Sequence, residues 1–315
     1  MRVQLGLRIG LQIALLSSIV IAGIRASAAQ ERSGSITRDG FRLYYKIAGA
    51  SGPYVILLGG GPGIDVDYLA SAADALKSSY RVVLLEQRGT GRSVLPILDE
   101  STLNLGSYLG DLEALRVGLG EERLTLLGHS WGMTYGLAYA AAYPDRTRGV
   151  VSIGSGTITA DFSQVFDDNR ASRLHPSERE LFDYWSAPER LRAEPDRALL
   201  EYLRVITPTD FWDRAKGIEF AMRWRLEWCH GRIADVTNRA IFAGLDLRPE
   251  LDKITAPVLI IQGHQDVAGE ANALEAARHI AHAEVRFLHR AGHYTWLDQP
   301  EGTWGAVLPF LAGLR

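Results

Sequence analysis

The chain contains a single cysteine, Cys229, so it cannot form an intramolecular disulfide. No Cys/His grouping has the spacing of a metal site, and no internal repeat or low-complexity segment is present. With 34 basic and 37 acidic residues the formal net charge is −3, which gives no support for binding nucleic acid. We therefore expect no metal, no cofactor and no nucleic-acid partner, and we interpret Cys229 as a small buried apolar residue.

The N-terminus has the three parts of a secretory signal peptide. Arg2 and Arg8 precede an apolar segment at 9–24, and Ala26-Ser-Ala28 then supplies a small-x-small cleavage site. We expect residues 1–28 to be removed and the mature protein to be secreted or periplasmic, meeting a membrane only during export. The alternative is a retained membrane anchor, although Gln12 and several serines and glycines would make it a weak span.

The most informative motif is Gly128-His-Ser-Trp-Gly132. An apolar, strand-like segment beginning at Leu124 precedes it, and a helix-like segment beginning at Met133 follows it. A serine on a sharp strand-to-helix turn needs glycine neighbours, because the close approach of the helix leaves no room for Cβ atoms. The motif predicts a nucleophile elbow with Ser130 as the nucleophile. An ordinary strand-to-helix turn that happens to contain a serine is the alternative.

A serine nucleophile needs a base, and the base needs a carboxylate to orient it. Asp266 follows an apolar run that starts at Pro257, and His293 follows a short strand-like segment and a glycine-containing loop. The order Ser, Asp, His is the one used in folds with this elbow. We predict that Ser130, Asp266 and His293 form a catalytic triad. Taken singly, Asp266 could instead cap a helix beginning near Ala268, and His293 could be a packed loop histidine.

A glycine-rich loop, Gly59-Gly-Gly-Pro-Gly63, follows the predicted strand 54–58. Backbone N–H groups in such a loop can stabilise a developing oxyanion, and the N–H of the residue after the nucleophile is the usual second donor. Gly60 and Gly61 are the candidates for the first donor and Trp131 for the second. Phosphate binding is the alternative use of such a loop, but it lacks a Gly-Lys-Ser/Thr ending and Pro62 removes a donor.

These motifs together resemble a known family. They are similar to the motifs of an α/β-hydrolase of the proline iminopeptidase type. The motifs that carry the resemblance are the glycine loop, Glu86-Gln-Arg-Gly-Thr-Gly-Arg-Ser93, the Ser130 elbow, Asp266, and Gly292-His293 with Trp296-Leu-Asp-Gln-Pro. Three positions differ from the family pattern: Gly59 replaces a histidine, Glu86 an aspartate, and His129 a position that is commonly glycine in the peptidases. Histidine before the serine is common in related esterases.

The fold class expected is α/β, specifically the α/β-hydrolase fold: a mostly parallel, doubly wound sheet with an inserted helical cap. We predict strands near 41–47, 54–58, 81–86, 124–128, 149–153, 257–262 and 285–289. The stretch from 159 to 248 differs, because its prolines and helix-period segments suggest a helical cap. The predicted division is a core over 29–158, the cap over 159–248 and the rest of the core over 249–315.

In proline iminopeptidases a cap glutamate near a Trp-x-x-Trp-Glu pattern binds the free amine of the substrate. The similar segment Trp224-Arg-Leu-Glu-Trp makes Glu227 and Trp224 the candidate substrate-binding residues. Glu227 could instead pair with Arg223 on a helix, and Trp224 could belong to the cap's own core. Arg88 and Arg92 are expected to brace loops near the site through ion pairs.

The function expected is that of an exported serine hydrolase that cleaves an ester or amide bond through an acyl-enzyme. Its partner would be a small-molecule or short-peptide substrate, as the resemblance to proline iminopeptidases implies. A carboxylesterase or lactonase acting on small esters is one alternative. A small-molecule receptor that keeps the triad but turns over slowly is another.

Overall fold

The computed structural model describes residues 32–314, and within them eight strands form one sheet. The order across the sheet is β1-β2-β4-β3-β5-β6-β7-β8. β1 and β2 are antiparallel to their neighbours, whereas the strands from β4 across to β8 are parallel, as predicted. The strands are β1 Arg32–Arg38, β2 Phe41–Ala48, β3 Tyr54–Leu58, β4 Arg81–Leu85, β5 Leu124–Ser130, β6 Thr147–Ser155, β7 Val258–Gly263 and β8 Ala283–Leu288.

Helices connect the strands and cover both faces of the sheet, as a parallel sheet requires. In chain order they are α1 Ala70–Leu76, α2 Leu105–Leu119, α3 Trp131–Ala142, α4 Ser163–Arg173, α5 Pro176–Ser186, α6 Pro188–Ala193, α7 Pro195–Ile206, α8 Arg214–Ala221, α9 Gly231–Ile241, α10 Arg248–Leu251, α11 Glu270–His279, α12 Thr295–Asp298 and α13 Pro300–Gly313.

Burial on both faces explains why the central strands are continuous apolar runs. Along β3, Val55 and Leu57 pack into one hydrophobic cluster while Ile56 and Leu58 pack into the other, because successive side chains point to opposite faces. All four side chains are almost completely buried. The seven strands predicted from such runs are all present, with bounds that differ by a few residues at most.

The sequence pattern missed β1. Its residues, Arg-Ser-Gly-Ser-Ile-Thr-Arg, are mostly polar, and the strand pairs only with β2 at the edge of the sheet. An edge strand that is partly exposed has no need of an apolar run, so hydrophobicity alone cannot reveal it.

The parallel strands place four loops at one edge of the sheet. The glycine loop follows β3, Ser130 ends β5, Asp266 follows β7 and His293 follows β8. Because the carboxyl ends of parallel strands meet at the same edge, residues far apart in sequence converge there.

Helices α4 to α10 lie between β6 and β7 in the chain, which agrees with a helical insertion. The boundaries 159 and 248 remain a prediction. The signal peptide predicted over residues 1–28 lies outside the described residues. None of the helices between residues 32 and 314 has both the length and the apolar character needed to cross a membrane.

Candidate active site

Ser130 occupies a strained turn between β5 and α3. Its backbone has φ 53° and ψ −122°, a region that a non-glycine residue rarely adopts. A Cβ at Gly128 would lie 2.4 Å from the carbonyl carbon of Gly132, and a Cβ at Gly132 would lie 2.1 Å from the carbonyl oxygen of Leu58. The glycines on either side of the serine are therefore required by close packing, as the motif predicted.

The side chains of Asp266 and His293 meet although they are 27 positions apart in the chain. Nδ1 of His293 lies 2.9 Å from Oδ1 and 3.0 Å from Oδ2 of Asp266. A carboxylate only accepts hydrogen bonds, so Nδ1 carries the proton that it donates, and in the neutral ring Nε2 has the free lone pair. Oδ1 of Asp266 also accepts the N–H of Ala268 at 2.8 Å. One carboxylate thus closes the turn after β7 and orients His293.

The surroundings of His293 favour its charged form. Burial of the ring favours the neutral form, but the charge and hydrogen bond of Asp266 outweigh burial and raise the pKa of His293 above its ordinary value of 6.5. The nearby carboxylate of Asp210 acts in the same direction. The imidazolium that a general base becomes is therefore stabilised at this position.

The glycine loop and the start of α3 both line the same cavity as Ser130. The N–H of Gly60 donates to the hydroxyl of Tyr68 at 2.5 Å, so it is already engaged. Of the two predicted glycines, Gly61 remains as the candidate oxyanion donor. Trp131 is the first residue of α3, and an N–H at that position has no intrahelical acceptor.

Gln87 links the glycine loop to the start of α3. Its Nε2 donates to the carbonyl oxygen of Gly59 at 2.9 Å, and its Oε1 accepts from the indole Nε1 of Trp131 at 3.0 Å. The side chain is buried, so both bonds are shielded from water. Gln87 lies within the motif that starts at Glu86, but the motif alone gave no reason to assign it this role.

Ser130 and His293 line a cavity of about 420 Å³ together with Gly60, Gly61 and Trp131. Most of the remaining wall is aliphatic or aromatic and comes largely from the inserted helices, with Phe166, Leu199, Leu203, Ile206 and Phe242 among its members. A wall of this kind favours an apolar substrate group beside the serine.

A buried ion pair forms part of the same wall. Nη2 of Arg170 lies 3.1 Å and 3.2 Å from the two carboxylate oxygens of Asp210, and Nη1 donates to the hydroxyl of Tyr202 at 3.3 Å. Arg170 and Asp210 are 7% and 2% exposed. Because the two charges compensate each other, this part of the wall has no net charge.

The loop that carries His293 is fastened to the inserted segment. The N–H of His293 donates to the carbonyl oxygen of Asp210 at 2.6 Å. Oδ2 of Asp298 accepts the N–H of Gly292 and the N–H of Trp212, both at 2.8 Å. These contacts link the position of His293 to the segment that shapes the cavity, and no sequence pattern predicted them.

The structure does not bring Glu227, predicted to bind the substrate, to the cavity that Ser130 lines. Glu227 is exposed in a short turn, Leu226–Trp228, and it does not line the cavity. It does not pair with Arg223 either, since that arginine bonds to Glu219 at 2.9 Å. Trp224 does line the cavity, and its indole Nε1 donates to Oγ1 of Thr207 at 2.8 Å.

The two arginines expected to brace loops do so. Arg88 makes two bonds of 2.7 Å to the carboxylate of Asp111, and Arg92 bonds to Glu86 at 2.5 Å. Cys229 is buried, and burial raises the pKa of its thiol to about 12, which matches an unreactive apolar residue. Within the part of the chain that the structure describes, no group of three potential metal ligands is found.

Comparison with known proteins identifies the family and supports the fold. The family described as having the alpha/beta hydrolase fold matches residues 53–300 of the chain. A proline iminopeptidase of Xylella fastidiosa (strain Temecula1) is 39% identical over 140 residues, which are 44% of either chain. The AB hydrolase superfamily protein YclE of Bacillus subtilis is 25% identical over 86% of this chain and 95% of its own length. The chain thus matches less than half of the Xylella protein but nearly all of YclE.

Among solved structures, a proline iminopeptidase-related protein of Thermus thermophilus is similar over 90% of this chain and 98% of its own, with a TM-score of 0.70 and 25% identity. The similarity therefore includes the inserted helices as well as the sheet.

The environment of His293 predicts how its titration depends on Asp266. In Asp266→Asn the charge that most favours the imidazolium is lost while burial remains, so the pKa of His293 should fall from its raised value. Imidazole ¹⁵N NMR over a pH titration measures this shift. Asp235→Asn, which alters an exposed carboxylate paired with Arg239, should leave the His293 pKa unchanged. An unaltered His293 titration in Asp266→Asn would contradict the assigned contact.

Proposed function

Because this chain belongs to the α/β-hydrolase family, we propose that it is a serine hydrolase. Its proposed reaction is the cleavage of an ester or amide bond in a small, largely apolar substrate. The resemblance to proline iminopeptidases predicted from the motifs is confirmed at the level of the family. Ser130 is the proposed nucleophile, His293 the general base and then general acid, and Asp266 the group that orients His293.

One observation carries the proposal. A serine in a strained strand-to-helix turn lines the same cavity as a histidine whose Nδ1 bonds to a buried carboxylate. That bond leaves Nε2 of His293 free to remove the proton of Ser130, and the carboxylate then stabilises the imidazolium. Neither a purely structural turn nor a packed loop histidine needs this combination.

The proposed reaction begins with attack of Ser130 Oγ on the carbonyl carbon of the substrate, while Nε2 of His293 accepts the serine proton. The carbonyl oxygen gains negative charge and is stabilised by the N–H groups of Gly61 and Trp131. The imidazolium of His293 then donates its proton to the leaving group, and an acyl-enzyme remains. Water, deprotonated by the same histidine, releases the acyl group and restores Ser130.

The cavity indicates the kind of acyl group. Its volume of about 420 Å³ suits a small molecule, and its charged pair, Arg170 and Asp210, is already satisfied internally. Opening that pair to bind a charged substrate would leave a buried charge without its partner. The proposed acyl group is therefore uncharged and apolar.

Replacement of the nucleophile tests the proposal. Ser130→Ala should lower kcat on short acyl esters by about 10⁶-fold, because a triad acts as a unit, and should abolish labelling by a fluorophosphonate. Ser172→Ala, which changes an exposed serine on α4, should retain full activity. Substantial turnover by Ser130→Ala would contradict the proposal. Stoichiometric labelling of the unaltered protein without turnover would favour the slow receptor instead.

An aminopeptidase is the second candidate function. Its substrate amine would be bound by Asp167 instead of the predicted Glu227. Asp167 on α4 lines the cavity and forms no ion pair with any described residue, whereas Asp210 is neutralised by Arg170. Partial burial raises the pKa of Asp167, and the charge of Arg170 opposes this rise. An ammonium group of a substrate would supply the missing partner for Asp167.

Matched variants separate the two candidates. If Asp167 binds a free α-amine, Asp167→Asn should reduce kcat/KM about 30-fold for proline arylamides, equivalent to about 2 kcal/mol, and leave neutral esters nearly unaffected. Glu227→Gln should change neither activity, because Glu227 is exposed outside the cavity. An equal effect of Asp167→Asn on both substrates, or no detectable arylamide hydrolysis by the unaltered protein, would favour the esterase.

A further inference from the structure

His129, the residue before the nucleophile, joins two parts of the site. Its Nδ1 lies 2.7 Å from the hydroxyl of Tyr68, and its Nε2 lies 3.2 Å from the backbone carbonyl oxygen of His293. The Tyr68 hydroxyl also accepts the N–H of Gly60 at 2.5 Å. A continuous path of hydrogen bonds therefore runs from the glycine loop, through one imidazole ring, to the main chain of His293.

The direction of every bond in this path is determined. The carbonyl oxygen of His293 can only accept, so Nε2 of His129 carries the proton. A neutral imidazole has one N–H, so Nδ1 is an acceptor and the Tyr68 hydroxyl donates to it. The same hydroxyl uses its oxygen to accept from Gly60. Each polar atom in the path has a partner, which is the condition under which a buried network gives a rigid arrangement.

The path requires a neutral His129, and the site keeps it so. Burial, together with the charge that His293 takes on, holds the pKa of His129 well below its ordinary value of 6.5. The two rings have centroids 4.6 Å apart. A proton on Nδ1 of His129 would remove the acceptor for Tyr68, so this low pKa preserves the path while His293 is protonated during turnover.

Close packing leaves the glycine loop little freedom to move relative to Ser130. A Cβ on Gly60 would lie 2.9 Å from Nδ1 of His129, from Cβ of Ser130 and from the hydroxyl of Tyr68. Gly60 precedes Gly61, and His129 precedes Ser130. A bond that fixes Gly60 against His129 therefore fixes the proposed oxyanion donor against the proposed nucleophile.

We propose that His129 and Tyr68 are positioning residues that hold the Gly61 N–H at its working distance from Ser130 and His293. This inference rests on the proposed function, because it assigns Gly61 as an oxyanion donor. Neither residue touches the reacting atoms in the proposed reaction. Replacing either residue should change kcat more than KM, because the oxyanion forms only as the reaction leaves the ground state.

Removal of one hydroxyl tests the path. Tyr68→Phe keeps the ring but leaves Gly60 N–H and Nδ1 of His129 without their shared partner. We expect kcat on a short neutral ester to fall about 10- to 100-fold with KM within about threefold, because a small misplacement of a donor has a large effect on rate. Tyr184→Phe, which removes the hydroxyl of an exposed tyrosine on α5, should leave kcat unchanged.

A pair of substitutions at His129 separates positioning from space filling. Gln and Leu are similar in size, but only Gln offers an acceptor to Tyr68 and a donor to the His293 carbonyl. We expect His129→Gln to keep kcat at least about tenfold above His129→Leu, with similar KM for both. Melting temperatures of both variants show whether each is folded at the assay temperature.

The outcomes distinguish this inference from the proposed function. If Ser130→Ala is inactive but Tyr68→Phe has the kcat of the unaltered protein, or His129→Gln and His129→Leu are equally active, the positioning role is wrong and the serine hydrolase stands. If Ser130→Ala remains active, the proposed function itself is wrong. A fall in kcat for Tyr68→Phe with rescue by Gln at position 129 supports both.

Discussion

The close approach of α3 to the end of β3 is the constraint on which the site depends. Gly132, in the first turn of α3, lies so near the carbonyl oxygen of Leu58 that a Cβ would be 2.1 Å from it. This contact brings the N–H of Trp131 beside the glycine loop that follows β3. Ser130, which lies two residues before Gly132, has its unusual backbone conformation at this same turn. Gly61 and Trp131, the two proposed oxyanion donors, line the same cavity as a result.

Strain at Ser130, of the order of 1–3 kcal/mol for such a conformation, persists because buried bonds hold the segments around it. Gln87 links Gly59 to Trp131, and the path through Tyr68 and His129 links Gly60 to His293. Each of these polar side chains is buried with its partners satisfied, so the arrangement avoids the penalty of an unpaired buried group.

The inserted segment contacts the loop that carries His293 as well as shaping the cavity. Its Asp210 accepts the N–H of His293, and its Trp212 shares the carboxylate of Asp298 with Gly292. A movement of this segment would therefore move His293. The same contacts therefore connect the cavity wall to the position of His293, the proposed general base.

Much of the fold and of the candidate site could be predicted from the sequence. The physical reasons for this also explain which features could not be predicted. Strands buried on both faces are apolar runs, so those from β2 to β8 were predictable, and the edge strand β1 was not. Ser130, Asp266 and His293 each follow such a run, which located them. The contacts of His129 were not predictable, because they join residues 61 and 164 positions apart.

The exposed position of Glu227 was not predictable for a related reason. Its closeness in sequence to Trp224 suggested that both side chains would face the substrate. Trp224 is buried against the cavity, but the chain then enters the short turn Leu226–Trp228, which leaves Glu227 exposed to solvent. A motif outside regular secondary structure does not fix the direction of its side chains, so its spacing carries less information than spacing on a helix or strand.

The most direct test of the central claim is a crystal structure of the protein after reaction with a fluorophosphonate. If the proposed roles are right, phosphorus is bonded to Oγ of Ser130, a phosphoryl oxygen lies within hydrogen-bond distance of the N–H groups of Gly61 and Trp131, and the N–H of Gly60 is still bonded to Tyr68. Phosphorus on another residue would contradict these roles. So would a phosphoryl oxygen that takes the N–H of Gly60 away from Tyr68.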